Sequence, residues 1–320
     1  MTDYHPTSRT AIERFFFDWF SGESLGALRL YFGFGLAAYL FSQYPQVVAL
    51  DPLGAQFHFT IQIWYFKLLG IDHHVPWLDL PVFVMMLAAC VCFALGRWTR
   101  PAIVVILLTM AYLKGVRDCF SGDVHHREIP VVALLVLLLL SKCGDVFGVD
   151  ARRRRLPPIA DWEGSWPIRA MQVYIVMFYF WALMAKLRVS GLWWFEKGGH
   201  IQEMLIARAL RDGYDAGGRI VDMALSWDIA QHPGAAFAMG ALVFAFELLV
   251  PLVLFIKDWR WRLVWMIGGT IFHISNFVLL DVKFYLYPFV LIAFFDMAKF
   301  HRWATARGSA PRGEPTRSAA

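Results

Sequence analysis

Long apolar runs, separated by short polar or proline-bearing segments, set the pattern of this chain. Eight runs read as membrane-crossing helices, at 25–44, 79–96, 101–117, 129–141, 167–187, 234–256, 262–280 and 284–300. Pro81, Pro101, Pro130, Pro167 and Pro233 stand at or just before starts of runs, where a missing N–H costs a helix nothing. The fourth run, Ile129 to Ser141, is short against the ~20 residues a bilayer needs. The eighth carries Pro288 in its first turn. Two long segments interrupt the runs. Residues 45–78 hold His58, His73 and His74 among many aromatics. Residues 188–233 predict two amphipathic helices, near 199–212 and 217–230, split by Gly213 and Gly217-Gly218. Trp193, Trp194 and Trp227 suit a membrane interface. The pattern predicts an all-α polytopic bundle.

Composition narrows the class. Of 320 residues, 58% are hydrophobic and only 17% charged, and mean hydropathy is +0.50. A soluble domain is about half apolar and a quarter charged. The net charge of +5 does not point to nucleic acid, because the basic residues flank the apolar runs. Placing Arg9 and Arg14 in the cytoplasm also places there Arg97, Arg100, Arg152 to Arg155, the Lys257/Arg260/Arg262 loop and the tail from Lys299 to Arg317. Basic residues prefer that side. The expectation is a multi-pass plasma-membrane protein with both termini cytoplasmic: residues 1–24 a cytoplasmic segment, 25–303 the transmembrane domain, 304–320 a disordered tail. Met1 to Glu13 are polar and do not read as a cleavable signal. Cys90, Cys92, Cys119 and Cys143 form neither a disulfide framework nor a metal spacing.

Candidate chemistry lies in the few polar groups inside the runs. Glu247 sits near mid-run, and Pro251 four residues on cannot donate to its carbonyl. An intramembrane carboxylate is a site hypothesis by default, against the plainer reading of a structural pair with Lys186, His273 or Arg29. Lys186 ends its run, where a snorkelling lysine is the plainer reading. Burial that lowers the pKa of such an amine makes it a base near neutrality. Thr270, His273 and Asn276 follow at intervals of three on one helical face, either as interhelical glue or as the wall of a ligand cavity. His126 follows His125 just before the fourth run. Topology allows Lys186, His126, His273 and Glu247 to converge on one outward-opening cavity. Gly33 and Gly35 lie inside a run and read as packing positions rather than a nucleotide fingerprint.

These residues resemble the transmembrane domain shared by vitamin K-dependent gamma-carboxylase and bacterial proteins of the HTTM (horizontally transferred transmembrane) group. Ala185-Lys186-Leu187, then Trp193-Trp194 and Gly198-Gly199, is similar to that family's Lys-Leu, Trp, Gly segment. Phe272-His273-Ile274-Ser275-Asn276 matches its Phe-His-x-x-Asn, and Phe284 to Val290 resembles the Phe-Pro-Tyr-Val stretch that follows. Glu247 stands where the carboxylase has an aspartate, and His126 with Val149-Asp150 resembles its histidine and Val-Asp. The similarity runs through most of 20–300 in consistent order. Ala185 replaces one of two adjacent lysines.

The resemblance implies a reduced, vitamin K-like quinone as cofactor, deprotonated by Lys186 and then oxidised to a base strong enough for carboxylation chemistry. Lys186, His273, His126 and Glu247 are the implied catalytic set, with Asn276 and Thr270 binding the cofactor; no metal is implied. The implied partners are membrane lipid and a secreted peptide or a second membrane subunit. A non-catalytic scaffold that kept the cavity is the second expectation. A transporter is the third, with Glu247 beside Pro251 as its support.

Overall fold

The computed structural model describes residues 10–43, 59, 61–121, 128–195, 199–212, 225–280, 282, 284 and 287–308. Among them the chain is all-helical and forms no β-sheet. A short helix α1 (Ala11–Phe17) is closed at its start by a reciprocal Thr10/Glu13 capping box. It leads into α2 (Gly22–Ser42), the most enclosed helix of the bundle. Leu25, Leu28, Phe32 and Leu36, spaced by three and four, are fully buried along one face of α2. Around it pack α4 (Pro76–Leu95) and α8 (Asp161–Ser190), with α5 (Thr99–Ser121) against α4. The short α3 (Trp64–Leu69) precedes α4, and α6 (Ile129–Leu140) and α7 (Val149–Arg154) follow α5.

Among the described residues five helices are long and apolar enough to cross a membrane: α2, α4, α8, α11 (Pro233–Leu249, preceded by the short α10, Leu225–Ala230, and prolonged by a 3₁₀ helix Val250–Phe255) and α12 (Trp259–Leu280). The chain is a membrane-embedded helical protein. On α12 the large side chains Val264, Ile267, Ile271, Ile274 and Val278 are exposed at intervals of three and four, while Gly269, His273 and Leu279 face inward. Water would penalise such a stripe, and hydrocarbon accepts it.

The remaining three predicted runs differ from a simple span. The α6 helix has 12 residues, as its short run implied. In α5 the last turns carry Lys114, Arg117 and Asp118; Lys114 pairs with Asp118, and Arg117 donates to Glu128 at 2.7 Å. The run 284–300 is not one helix. Its described part is α13 (Tyr287–Leu291), a 3₁₀ helix Ile292–Phe294, and α14 (Met297–Gly308). Phe295 is extended, and the Asp296 carboxylate, which accepts from the Lys299 N–H, restarts the helix. The α14 helix therefore carries regular structure to Gly308, past the expected boundary at 303.

Two buried arginines tie the bundle together. Arg29, 0% exposed, donates to the carbonyls of Phe93, Ala94, Cys143 and Val146. It closes the end of α4 and the turn after α6, whose carbonyls otherwise lack helical partners. Arg169 donates to Phe15, Gln172 and Leu254. Gly33 is a packing position, as expected: a Cβ there would lie 2.8 Å from Cα of Ala94.

Candidate functional site

The site is built on α8, whose spacing presents Tyr179, Ala182 and Lys186 on one face over two turns. Facing it, α11 brings Val243 and Glu247, and α12 brings Phe272, His273 and Asn276. The chain after α12 adds Phe284 and Tyr287, the 3₁₀ helix Gly191–Phe195 adds Trp194, and α9 (His200–Asp212) adds Ile201 and Met204. Together they enclose a cavity of about 330 Å³, a size typical of small ligand sites. Lys186 lies one turn from the end of α8, so the cavity is toward the end of the bundle remote from the arginines of α7.

Lys186 Nζ donates to Glu247 Oε1 at 2.5 Å, and the same ammonium lies 5.7 Å from the ring centre of Trp194. Glu247 is 2% exposed, whereas the Lys186 side chain keeps 22%. Neither charge is a lone one in hydrocarbon: the pair is neutral as a unit, which is what makes it tolerable there. The second carboxylate oxygen, Oε2, is sealed from solvent and has no hydrogen-bond partner among the described residues.

The second polar element is an aromatic and imidazole cluster. The Tyr179 hydroxyl and His273 Nε2 are 2.6 Å apart. The Tyr287 ring lies 4.5 Å from the His273 ring, centre to centre, and Phe284 covers the imidazole at 5.5 Å. This leaves His273 Nδ1 and the Tyr287 hydroxyl buried with no hydrogen-bond partner among the described residues, and the Trp194 indole N–H is in the same position. Ordinary interiors satisfy such groups, so a concentration of them around one cavity calls for an explanation.

The structure brings Lys186, Glu247, His273 and Asn276 to one cavity. Thr270 does not line it; its hydroxyl bonds back to the Met266 carbonyl at 2.8 Å, the usual resort of a threonine inside a helix. His126 lies outside the described residues. Of the alternatives for Glu247, the partner is Lys186, and Arg29 is committed to backbone carbonyls elsewhere. Lys186 is not a snorkelling lysine: it turns inward to the carboxylate. Tyr179, Tyr287 and Trp194 are site residues that the sequence reading missed. Trp194, expected at an interface, is 6% exposed. The available signal was spacing: Tyr179 precedes Lys186 by seven residues, two helical turns on the same face.

Among the described residues, no three His, Cys, Asp or Glu side chains come together as a metal-binding group. No protein-family model matches the chain, and neither a curated protein nor a solved structure does.

Proposed function

We propose that this cavity binds the ring of a reduced quinone or a related isoprenoid lipid and that Lys186, working with Glu247, removes a proton from it. The observation that carries the reading is the set of buried groups without a hydrogen-bond partner among the described residues, Glu247 Oε2, His273 Nδ1, the Tyr287 hydroxyl and the Trp194 N–H, around an aromatic cavity. Each unsatisfied buried group costs about 1–3 kcal/mol, a cost that a ligand with oxygen acceptors and donors recovers.

The residues fit a flat ring with oxygens at its edge. Phe272, Phe284, Tyr287 and Trp194 supply aromatic walls, and the polar atoms supply hydrogen bonds at fixed points. A bound hydroquinone supplies an ionisable hydroxyl and two electrons. Lys186 cannot accept a proton while it is an ammonium. Glu247 first takes the shared proton, and the neutral amine then takes the hydroxyl proton of the ligand. The carboxyl ends protonated, the amine ends as ammonium, and the negative charge is left on the ligand oxygen. In this reading His273, held by Tyr179, and Asn276 donate to that oxygen; both line the cavity. The resemblance to the carboxylase transmembrane domain supports the same roles, including His126 as a pocket residue, and extends them to modification of a peptide or lipid by a carboxylase- or oxidoreductase-type enzyme.

The proposed setting is the plasma membrane, with eight crossings, both termini in the cytoplasm and the cavity facing outward. Its support is the basic-residue asymmetry, with α5, α6 and the α13 region completing the five long helices. The test is titration of a short-chain menaquinol into the full-length protein in lipid nanodiscs, followed by tryptophan quenching and native mass spectrometry. Saturable binding, weakened about tenfold in Lys186→Ala and His273→Ala, is expected for loss of one charge-assisted hydrogen bond. No binding by the folded wild type rejects the quinone, and unaltered binding by both variants rejects this cavity.

A further inference from the structure

A second built feature lies at the opposite, basic end of the bundle. A groove of about 600 Å³ runs between α1, the residues that follow it, the start of α12 and the start of α14. Its floor is aromatic, with Phe15, Trp19, Trp259 and Phe294. Its rim carries Arg14, Lys257, Arg262 and Lys299 against the two acids Asp18 and Asp296.

The cations converge on one indole. The guanidinium carbon of Arg262 is 4.9 Å from the Trp19 ring centre, that of Arg169 is 4.1 Å away, and Lys257 Nζ is 5.9 Å away. Cation–π contacts are common singly. Three positive groups on one ring repel each other, and a partly buried setting screens that repulsion weakly. The acids offset it only in part. Asp296 accepts from the Ser24 hydroxyl at 2.9 Å, sits 3.4 Å from Lys299 Nζ and also acts on Arg262, so one carboxylate is shared between two cations. Arg262 is 7% exposed and donates Nε to the Ile256 carbonyl at 2.6 Å. Among the described residues neither Arg262 nor Lys257 makes an ion pair within 4 Å. The groove holds an excess of positive charge around a buried guanidinium that has donors left.

From this geometry we infer that the groove is a binding site for the phosphate of an anionic phospholipid in the adjoining leaflet. The amphiphile is indicated by what borders the cations. Phe255 beside them is 68% exposed, and Leu252 and Trp261 on the adjacent surfaces are 54% and 62% exposed. A phosphodiester placed between Arg262, Lys257 and Arg14 leaves its acyl chains against that apolar flank. Trp259 and Trp261, both exposed at the start of α12, are the residue type that anchors at a membrane interface. A free phosphate uses the cations and leaves the flank bare.

The experiment is native mass spectrometry of the full-length protein in detergent, with phosphatidylglycerol, phosphatidylcholine or inorganic phosphate added separately and in competition. Phosphatidylglycerol retained over phosphatidylcholine, and retained about tenfold less by Lys257→Gln combined with Arg14→Gln, is the expected result for two basic contacts at an anionic headgroup. Both side chains are exposed, so the variant keeps the fold, which a thermal melt checks. Arg153→Gln with Arg154→Gln removes two charges from α7 at the same end and is expected to retain lipid fully. Equal retention of the two lipids, or an equal loss in the α7 variant, overturns the site. Displacement of phosphatidylglycerol by millimolar inorganic phosphate overturns the lipid as its occupant in favour of a free anion.

Discussion

Lys186 and Glu247 meet at 2.5 Å although they are 61 residues apart in sequence and stand on different helices. The pair is both a structural joint between α8 and α11 and the charged wall of the cavity. These two roles separate by mutation. Glu247→Gln leaves the ammonium without its counter-charge and is expected to lower stability by about 2–4 kcal/mol, below the fully buried range because Lys186 retains access. Lys186→Met with Glu247→Leu removes both charges and is expected to recover most of that stability while menaquinol binding stays lost. Melting in detergent and ligand titration read the two quantities; recovery of binding in the double variant would contradict the proposed site.

Tyr179→Phe keeps the ring and deletes the hydroxyl that faces His273 Nε2. A buried imidazole nitrogen is then left unmet, at a cost of about 1–3 kcal/mol. Binding is expected to weaken along with stability, because the imidazole loses the contact that fixes its orientation. A melting temperature unchanged within error would show that the contact contributes nothing.

Trp194→Phe tests a donor rather than a protein contact. The indole N–H has no hydrogen-bond partner among the described residues, so its loss leaves no protein group unmet, and the smaller ring at this buried position is expected to cost only about 1–2 kcal/mol in packing. Ligand binding is expected to fall, since a donor to the cavity is gone. A drop in stability with intact binding would assign Trp194 to packing alone.

Arg29→Lys retains the charge and loses the planar fork that reaches four carbonyls on two segments. A destabilisation of about 3 kcal/mol or more is expected, visible as poor recovery of folded protein from membranes. Wild-type recovery and melting would show the carbonyls to be satisfied without the guanidinium.

Cys143, in the turn after α6, is 1% exposed, and burial pushes its thiol up to about 11. At pH 8 only about a thousandth of it is thiolate, and the thiolate is the reactive form. Peptide mapping after maleimide treatment of folded protein is expected to find Cys143 unmodified at pH 8. Rapid labelling there would contradict the enclosed turn.

Much of this was legible in the sequence, for identifiable reasons. Apolar length located the five long helices to within a few residues, because hydrocarbon imposes one dominant requirement on every position of a span. His273 and Asn276 share a face by helical period, and an intramembrane glutamate demands a partner, so the polar side of the cavity was readable. Lys186 as that partner was one option among three, since a contact between helices leaves no periodic trace. The break at Phe295 escaped notice because the apolar residues on either side masked Asp296, a helix-starting signal. Trp194 was misplaced because a tryptophan near a helix end fits an interface and a cavity equally well. Tyr287 could not be placed at all without knowing how the chain turns back after α12.

The fourfold grip of Arg29 has a consequence for the order in which the protein is made. Arg29 lies seven residues into α2, yet its acceptor at Val146 is 117 residues further along. At ~5–20 residues per second, that interval is roughly 6–23 s. For the first half of that time none of its four carbonyls exists, and for the rest only those of Phe93 and Ala94 do, so α2 holds a cation in or near hydrocarbon with its shell incomplete. The insertion machinery, or an edge of the headgroup region, must shelter the guanidinium until the turn after α6 arrives. The helix at the centre of the finished bundle thus enters the membrane before the segments it grips and settles only after them.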